Sequence, residues 1–129
     1  MRYRYTLDTG KEIGRPGVRG HPYSTHEDFA RLSCGLFQVE GGRHGLIRNE
    51  HADRLYLVLE GEGRFTVAGE SFAVQAGEVV IVPRQTPYDY EGRMKLFLVH
   101  APANHDAWDI SLEEPPRPAT PPAAPDQAV

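Results

Sequence analysis

Arg54, Tyr56 and Tyr88 are side chains of this sequence that could do chemistry on a small organic molecule. Arginine is a permanent cation with a fork of donors, and it can hold a carboxylate, phosphate or enolate oxygen. A tyrosine beside such a cation has its phenolate favoured, which predicts a lowered pKa and a role as general acid or base. His51, between Asn49 and Arg54, adds a group that changes charge near neutral pH, and His44 lies close by. Glu50, His51 and Asp53 form the run E-H-x-D, which with His44 could furnish donors for a metal. No nucleophile elbow, phosphate-binding glycine loop, zinc-spaced Cys/His set or dinucleotide fingerprint is present.

The elements that must carry these residues are short and β-rich. Apolar runs at Leu36–Glu40, Arg54–Leu59, Arg64–Ala68, Ser71–Val74, Val79–Val82, Tyr88–Tyr90 and Arg93–His100 are cut by turn signals. Those signals are Gly41-Gly42, Gly61-Glu62-Gly63, Gly69-Glu70, Gln75-Ala76-Gly77, Pro83, Glu91-Gly92 and Pro102. Strands at this spacing, with no long helical pattern, predict an all-β barrel or sandwich. Tyr3–Leu7 alternates like an edge strand, and Ser24-Thr25-His26-Glu27-Asp28 reads as a cap before a helical turn at Asp28–Leu32.

Residues 41–61, GGRHGLIRNEHADRLYLVLEG, resemble the first signature of the cupin superfamily. Gly42, Leu46, Tyr56, Val58, Leu59, Glu60 and Gly61 fit its scaffold positions without a gap. A second signature is similar from Gly77 through Pro83 to Tyr88. The resemblance covers about residues 35–102 and implies a jelly-roll barrel. In metal-binding cupins two His, a Glu and a further His occupy the positions that here hold Ile47, Asn49, Arg54 and Tyr88. Ile47 has no donor, Arg54 repels a cation, and Asn49 and Tyr88 are poor ligands for zinc or iron. The resemblance therefore implies a metal-independent cupin with no cofactor. Reading E-H-x-D as a displaced metal site breaks the register of Gly61.

By the same resemblance positions 47, 49, 54 and 88 face the barrel interior. The period of two then turns Tyr56, Val58 and Tyr90 inward as well. The expected ligand-binding wall is Ile47, Asn49, Tyr56 and Tyr90, joined by Phe97 and Val99 from the last strand, with Tyr88, Arg54 and His51 as catalytic candidates. On that register His100 points away from the cavity. No acid falls on the inward positions of the signatures, so a ligand anion is expected to satisfy Arg54.

The chain has 129 residues, 40% hydrophobic and 25% charged, with a formal net charge of −4. That is enough for one domain with a core and gives no basic patch for nucleic acid or anionic membrane. No apolar run reaches a membrane span, and the first residues carry no signal-peptide pattern, so a cytoplasmic protein is expected. The one cysteine, Cys34, excludes an internal disulfide and reads as a small core residue. Three segments follow: residues 1–34 as an N-terminal segment that exchanges between subunits of a homodimer, as cupins often do; 35–111 as the barrel; and 112–129 as a disordered Pro-rich tail.

The expected activity is proton transfer on a largely apolar small molecule of secondary metabolism: isomerisation, epimerisation, cyclisation or dehydration. A non-catalytic binding cupin and a metal enzyme with a displaced site are the alternatives.

Overall fold

A computed structural model describes residues 3–8 and 11–113. Nine strands and one 3-10 turn form among the described residues. In order they are β1 (Ile13–Arg15), β2 (Val18–Pro22), β3 (Ser33–Arg43), β4 (Ile47–Asn49), β5 (Asp53–Val67), β6 (Glu70–Gln75), β7 (Val79–Val82) and β8 (Tyr88–Ala101); then come the 3-10 turn Asp106–Trp108 and β9 (Asp109–Ser111). Every pairing is antiparallel. No helix of the described residues is long and apolar enough to cross a membrane.

Two long strands build the barrel. β5 and β8 pair from Asp53↔Ala101 through Val67↔Tyr88. The expected turns at Gly61-Glu62-Gly63 and Glu91-Gly92 are not turns: each strand runs straight through them. Their glycines bend the ribbon instead. Gly63 lies opposite Gly92, and a Cβ on Gly92 would fall 2.5 Å from the Gly63 Cα. Only two backbones without side chains approach that closely. In a straight ribbon Arg54 would lie about 40 Å from Val67, the partner of Tyr88. In the protein Arg54 and Tyr88 touch, so the ribbon folds back and its two halves face each other.

One half carries β7 on β5 and β3–β2–β1 on β8; the other carries β6 on β5 and β4–β9 on β8. The core between them includes Phe37, Val39, Val58, Phe65, Val80, Val82, Met94, Leu96 and Leu98. This is the expected all-β jelly-roll barrel.

Several local expectations change. The β5–β6 hairpin turns at Ala68-Gly69, one residue earlier than the sequence pattern indicates, with φ of 52° and 83°. The cap near Thr25 is real, since Thr25 Oγ1 accepts from the Glu27 N–H at 3.1 Å, but it closes a single turn at 26–28 rather than a helical turn at Asp28–Leu32. Residues 3–8 form no strand within the protomer. Cys34 is half-buried on the outer sheet face, not in the core. Of the expected tail, Leu112 and Glu113 are tied to the barrel: Leu112 N–H donates to Leu46 O at 2.9 Å and Leu46 N–H to Glu113 Oε2 at 3.0 Å. The rest of 112–129 lies outside the described residues.

Candidate active site

β4, the start of β5 and the start of β8 bring Ile47, Asn49, Arg54, Tyr56, Tyr88 and Tyr90 together inside the barrel, all 3% exposed or less. They fill the space with their own side chains. Tyr56 packs on Phe65, Tyr88 and Tyr90 with ring centroids 5.3, 5.9 and 5.4 Å apart. At the centre is a hydrogen-bonded chain. Arg54 Nη1 donates to the Tyr88 hydroxyl, and the Tyr88 and Tyr56 hydroxyls share a hydrogen bond of 2.7 Å.

The partner of Arg54 is the main departure from the sequence reading. Arg54 Nη2 donates to Asp109 Oδ1 at 2.8 Å and Oδ2 at 3.1 Å, and this carboxylate is itself 6% exposed. Asp109 belongs to β9, outside both signatures, and β9 reaches the site because it pairs with β4 through Asn49↔Asp109. An internal acid, not a ligand anion, thus compensates the buried guanidinium. Asn49 fastens the arrangement. Its Nδ2 donates to Asn104 Oδ1 and Asp109 Oδ1, both at 2.9 Å, and its Oδ1 accepts from the N–H groups of His51 and Ala52.

Titration follows from this geometry. Burial raises the pKa of Tyr88, and Arg54 opposes it without winning, because part of the guanidinium field is spent on Asp109, whose charge also pushes Tyr88 up. The expected lowering is therefore reversed, and Tyr88 is a proton donor at neutral pH. Tyr56 is raised further, first by burial and then by the neighbouring tyrosines. Burial works to lower Arg54, but Tyr88 and Asp109 outweigh it and the guanidinium stays charged.

His44, a secondary candidate in the sequence, sits in this cluster. It is 2% exposed and stacks on Tyr88 and Tyr90 with centroids 5.3 and 4.6 Å apart. Its Nδ1 lies 2.8 Å from Gly45 O. A carbonyl can only accept, so Nδ1 carries a proton. His51 is not brought to the site: it is exposed on the rim, edge-on to Trp108 at 4.8 Å. Phe97 and Val99 face outward as well. Because β8 is unbroken, the parity of Tyr88 and Tyr90 carries through to Leu96, Leu98 and His100, and these turn inward. The sequence register put a turn at Gly92 and lost one residue of phase.

The donor set does not fit the metal typical of the fold. Arg54 is ion-paired where a carboxylate would be needed, the Asn49 amide is fully engaged, and Ile47 offers nothing. E-H-x-D does not converge either: Glu50 pairs with Arg48 at 2.7 Å, and Asp53 Oδ1 accepts from the Arg84 N–H at 2.8 Å. Among the described residues no three His, Cys, Asp or Glu side chains gather as a ligand set. A groove of about 760 Å³ at the strand bend, bordered by Gly41, Glu62, Gly63, Gly92 and Arg93, lies away from this chemistry.

A jelly-roll barrel holding an arginine–tyrosine chain at its ligand positions is a cupin in architecture, and residues 35–100 match the cupin domain family. The chain belongs to that family. No curated protein matches it in sequence. Among solved structures it is similar to Pac13 of Streptomyces, described as a unique nucleoside dehydratase: 23% identity, 87% of this chain and 92% of that one covered, TM-score 0.79. Pac13 structures with uridine include a His→Gln variant, at 23% identity, 88% and 92% coverage and TM-score 0.80, and variants with single Tyr→Phe changes. KdgF from Halomonas is also similar, at 14% identity, 83% and 99% coverage and TM-score 0.71. At these identities the likeness is one of fold.

Proposed function

We propose that this protein is a metal-independent dehydratase-type cupin of secondary metabolism. Its substrate is a small hydroxylated molecule, a nucleoside or a related sugar, carrying a carbonyl that acidifies a neighbouring C–H. The observation that carries this reading is the buried chain Arg54–Tyr88–Tyr56 with His44 stacked on Tyr88. A likeness to a nucleoside dehydratase, studied with one histidine and two tyrosines altered, supports it.

His44 Nε2 takes the proton from the carbon beside the carbonyl, and the electron pair moves into the carbonyl. The enolate re-forms the carbonyl as the β carbon–oxygen bond breaks. Tyr88 gives its proton to the departing oxygen, which leaves as water. Arg54 holds the transient phenolate charge, and the proton on His44 returns to Tyr88, so the protein ends as it began. Asn104 and Asp109 bond Asn49 and Arg54 of the cluster, and substrate enters when the segment from Asn104 to Ser111 swings aside from β4.

The test is incubation of the purified chain with ribonucleosides oxidised to aldehydes or ketones, followed by mass spectrometry for loss of one water. Turnover should fall about 10²–10⁴-fold in Tyr88→Phe and His44→Gln, the range for losing a general acid or base, while circular dichroism shows that both variants keep the native fold at the assay temperature. Normal turnover in either variant removes that residue from the mechanism. No water loss from any of these compounds refutes the reading.

A further inference from the structure

His100 is the buried titratable group that this mechanism leaves unused. It is 8% exposed and lies directly across the ladder from Arg54 on one side and Ser33 on the other. Its Nε2 is buried without a hydrogen-bond partner. Its Nδ1 lies 3.4 Å from Ser33 Oγ, which already accepts the Asn104 N–H at 3.0 Å. Ser33 Oγ can give its hydroxyl proton to Nδ1, and in that tautomer the proton of the neutral ring sits on the unpartnered Nε2. Beside it is a cavity of about 80 Å³, walled by Ile13, Pro22 and Phe37 on its apolar side and by Ser33, His100 and Asn104 on its polar side. That is room for a few waters or one small planar ring. Asn104 links the cavity to the catalytic cluster, since its Oδ1 also accepts from Asn49 and from Arg54 Nη2 at 3.5 Å.

Resting on the dehydratase reading above, we propose that this cavity is the substrate's recognition subsite, taking a planar carbonyl-bearing heterocycle such as a pyrimidine base, whose carbonyl oxygen accepts from His100 Nε2–H. A buried donor with no acceptor is costly, and a ligand oxygen there removes the cost. The ring must stay neutral to leave Ser33 its acceptor, and burial together with Arg54 disfavours its protonation. The apolar walls fit the faces of a flat ring, and Ser24, Thr25 and Asp106 add polar groups to the lining.

The experiment titrates the full chain with uridine and, separately, with methyl β-D-riboside, which keeps the sugar and lacks the base. Affinity is read by calorimetry, and the imidazole 1H–15N resonances by NMR. Uridine should shift the His100 Nε2–H signal and bind at least about tenfold more tightly than the riboside, the value of one hydrogen bond. His100→Leu should remove that preference, and His100→Gln, which keeps an N–H donor, should restore part of it. An unprotonated Nε2, an unmoved His100 signal, a preference that survives in His100→Leu, or no uridine binding would each overturn the subsite. None of these readouts needs turnover. Water loss with a silent His100 refutes the subsite alone, and His100-dependent uridine binding without water loss refutes the dehydratase alone.

Discussion

Acid should weaken this fold through His100. Burial, reinforced by Arg54 across the strand pair, holds its pKa well below that of an ordinary histidine. In the unfolded chain the same ring titrates near the ordinary value of about 6.5. Below that pH the unfolded chain binds one proton that the native chain does not, so stability falls as pH falls. Integrated from about pH 7 to pH 5, a ring that stays neutral in the native state contributes a loss of about 2 kcal/mol. Asp109 has the opposite sign. Burial raises its pKa against the pull of Arg54, so just above the ordinary Asp range the native chain is the better proton binder and stability rises as pH falls. The two effects separate by difference, because Asp109 is common to both proteins. Urea melts of the wild type and of His100→Gln across this range should diverge, the wild type losing about 2 kcal/mol more by pH 5. Parallel profiles would refute the reasoning.

Asp109→Ala should destabilise the protein by about 3–5 kcal/mol, since it leaves a buried guanidinium uncompensated; Arg54→Leu with Asp109→Leu should cost less than Asp109→Ala alone, and a larger cost in chemical denaturation would show that the pair is a net stabiliser. Ala68→Asn should raise stability by about 1 kcal/mol, because Ala68 holds φ of 52° in a two-residue turn that favours Asn-Gly; an unchanged melting point would mean that the turn carries no strain. The outer face leads us to expect a homodimer. Leu55 and Leu57 lie between Ile81 and Val79 of the edge strand β7 on one side and Val99 and Phe97 on the other, with Ile81 61% and Val79 50% exposed. Sedimentation should give a dimer for the wild type and a monomer for Ile81→Lys; a wild-type monomer at micromolar concentration defeats the expectation.

What the sequence made legible depended on whether a residue's neighbours were local. Arg54 and Tyr56 share a face because they are two apart on one strand, and the signature spacing placed Asn49 and Tyr88 against them. The partner of Arg54 could not be read that way. Asp109 is 55 residues away, on a three-residue strand with no apolar pattern, and only the β4–β9 pairing delivers it. A buried arginine without an acid in its own motif was the available signal, since such a charge demands a partner somewhere. The error at Phe97 and Val99 has a different source. Glycine marks turns and also marks strand bends, and composition alone does not separate the two at Gly92. Once the strand is continuous, parity is fixed from Tyr88 onward and His100 must face inward. The pKa of Tyr88 runs opposite to the expectation because burial competes with the charge of Arg54, and Asp109, which adds to the effect of burial, lies outside both signatures.

The exchange at the former ligand positions also explains why the interior can be so polar and still fold. A guanidinium among tyrosines needs an anion, and one supplied by the chain makes the site electrically complete without loading. The positive centre is then part of the fold rather than a bound ion. Its consequences are specific. Arg54 can stabilise a phenolate or an oxyanion, but it cannot change oxidation state or offer an open coordination position. On the function proposed above, the chemistry of this barrel is the movement of protons among Tyr56, Tyr88 and His44. The same carboxylate that completes the charge also ties the segment Asn104–Ser111 to the barrel, since Asp109 lies within it. Loosening that single ion pair should therefore change both the stability of the protein and the access of substrate to Tyr88, and the two effects should move together in Asp109→Asn.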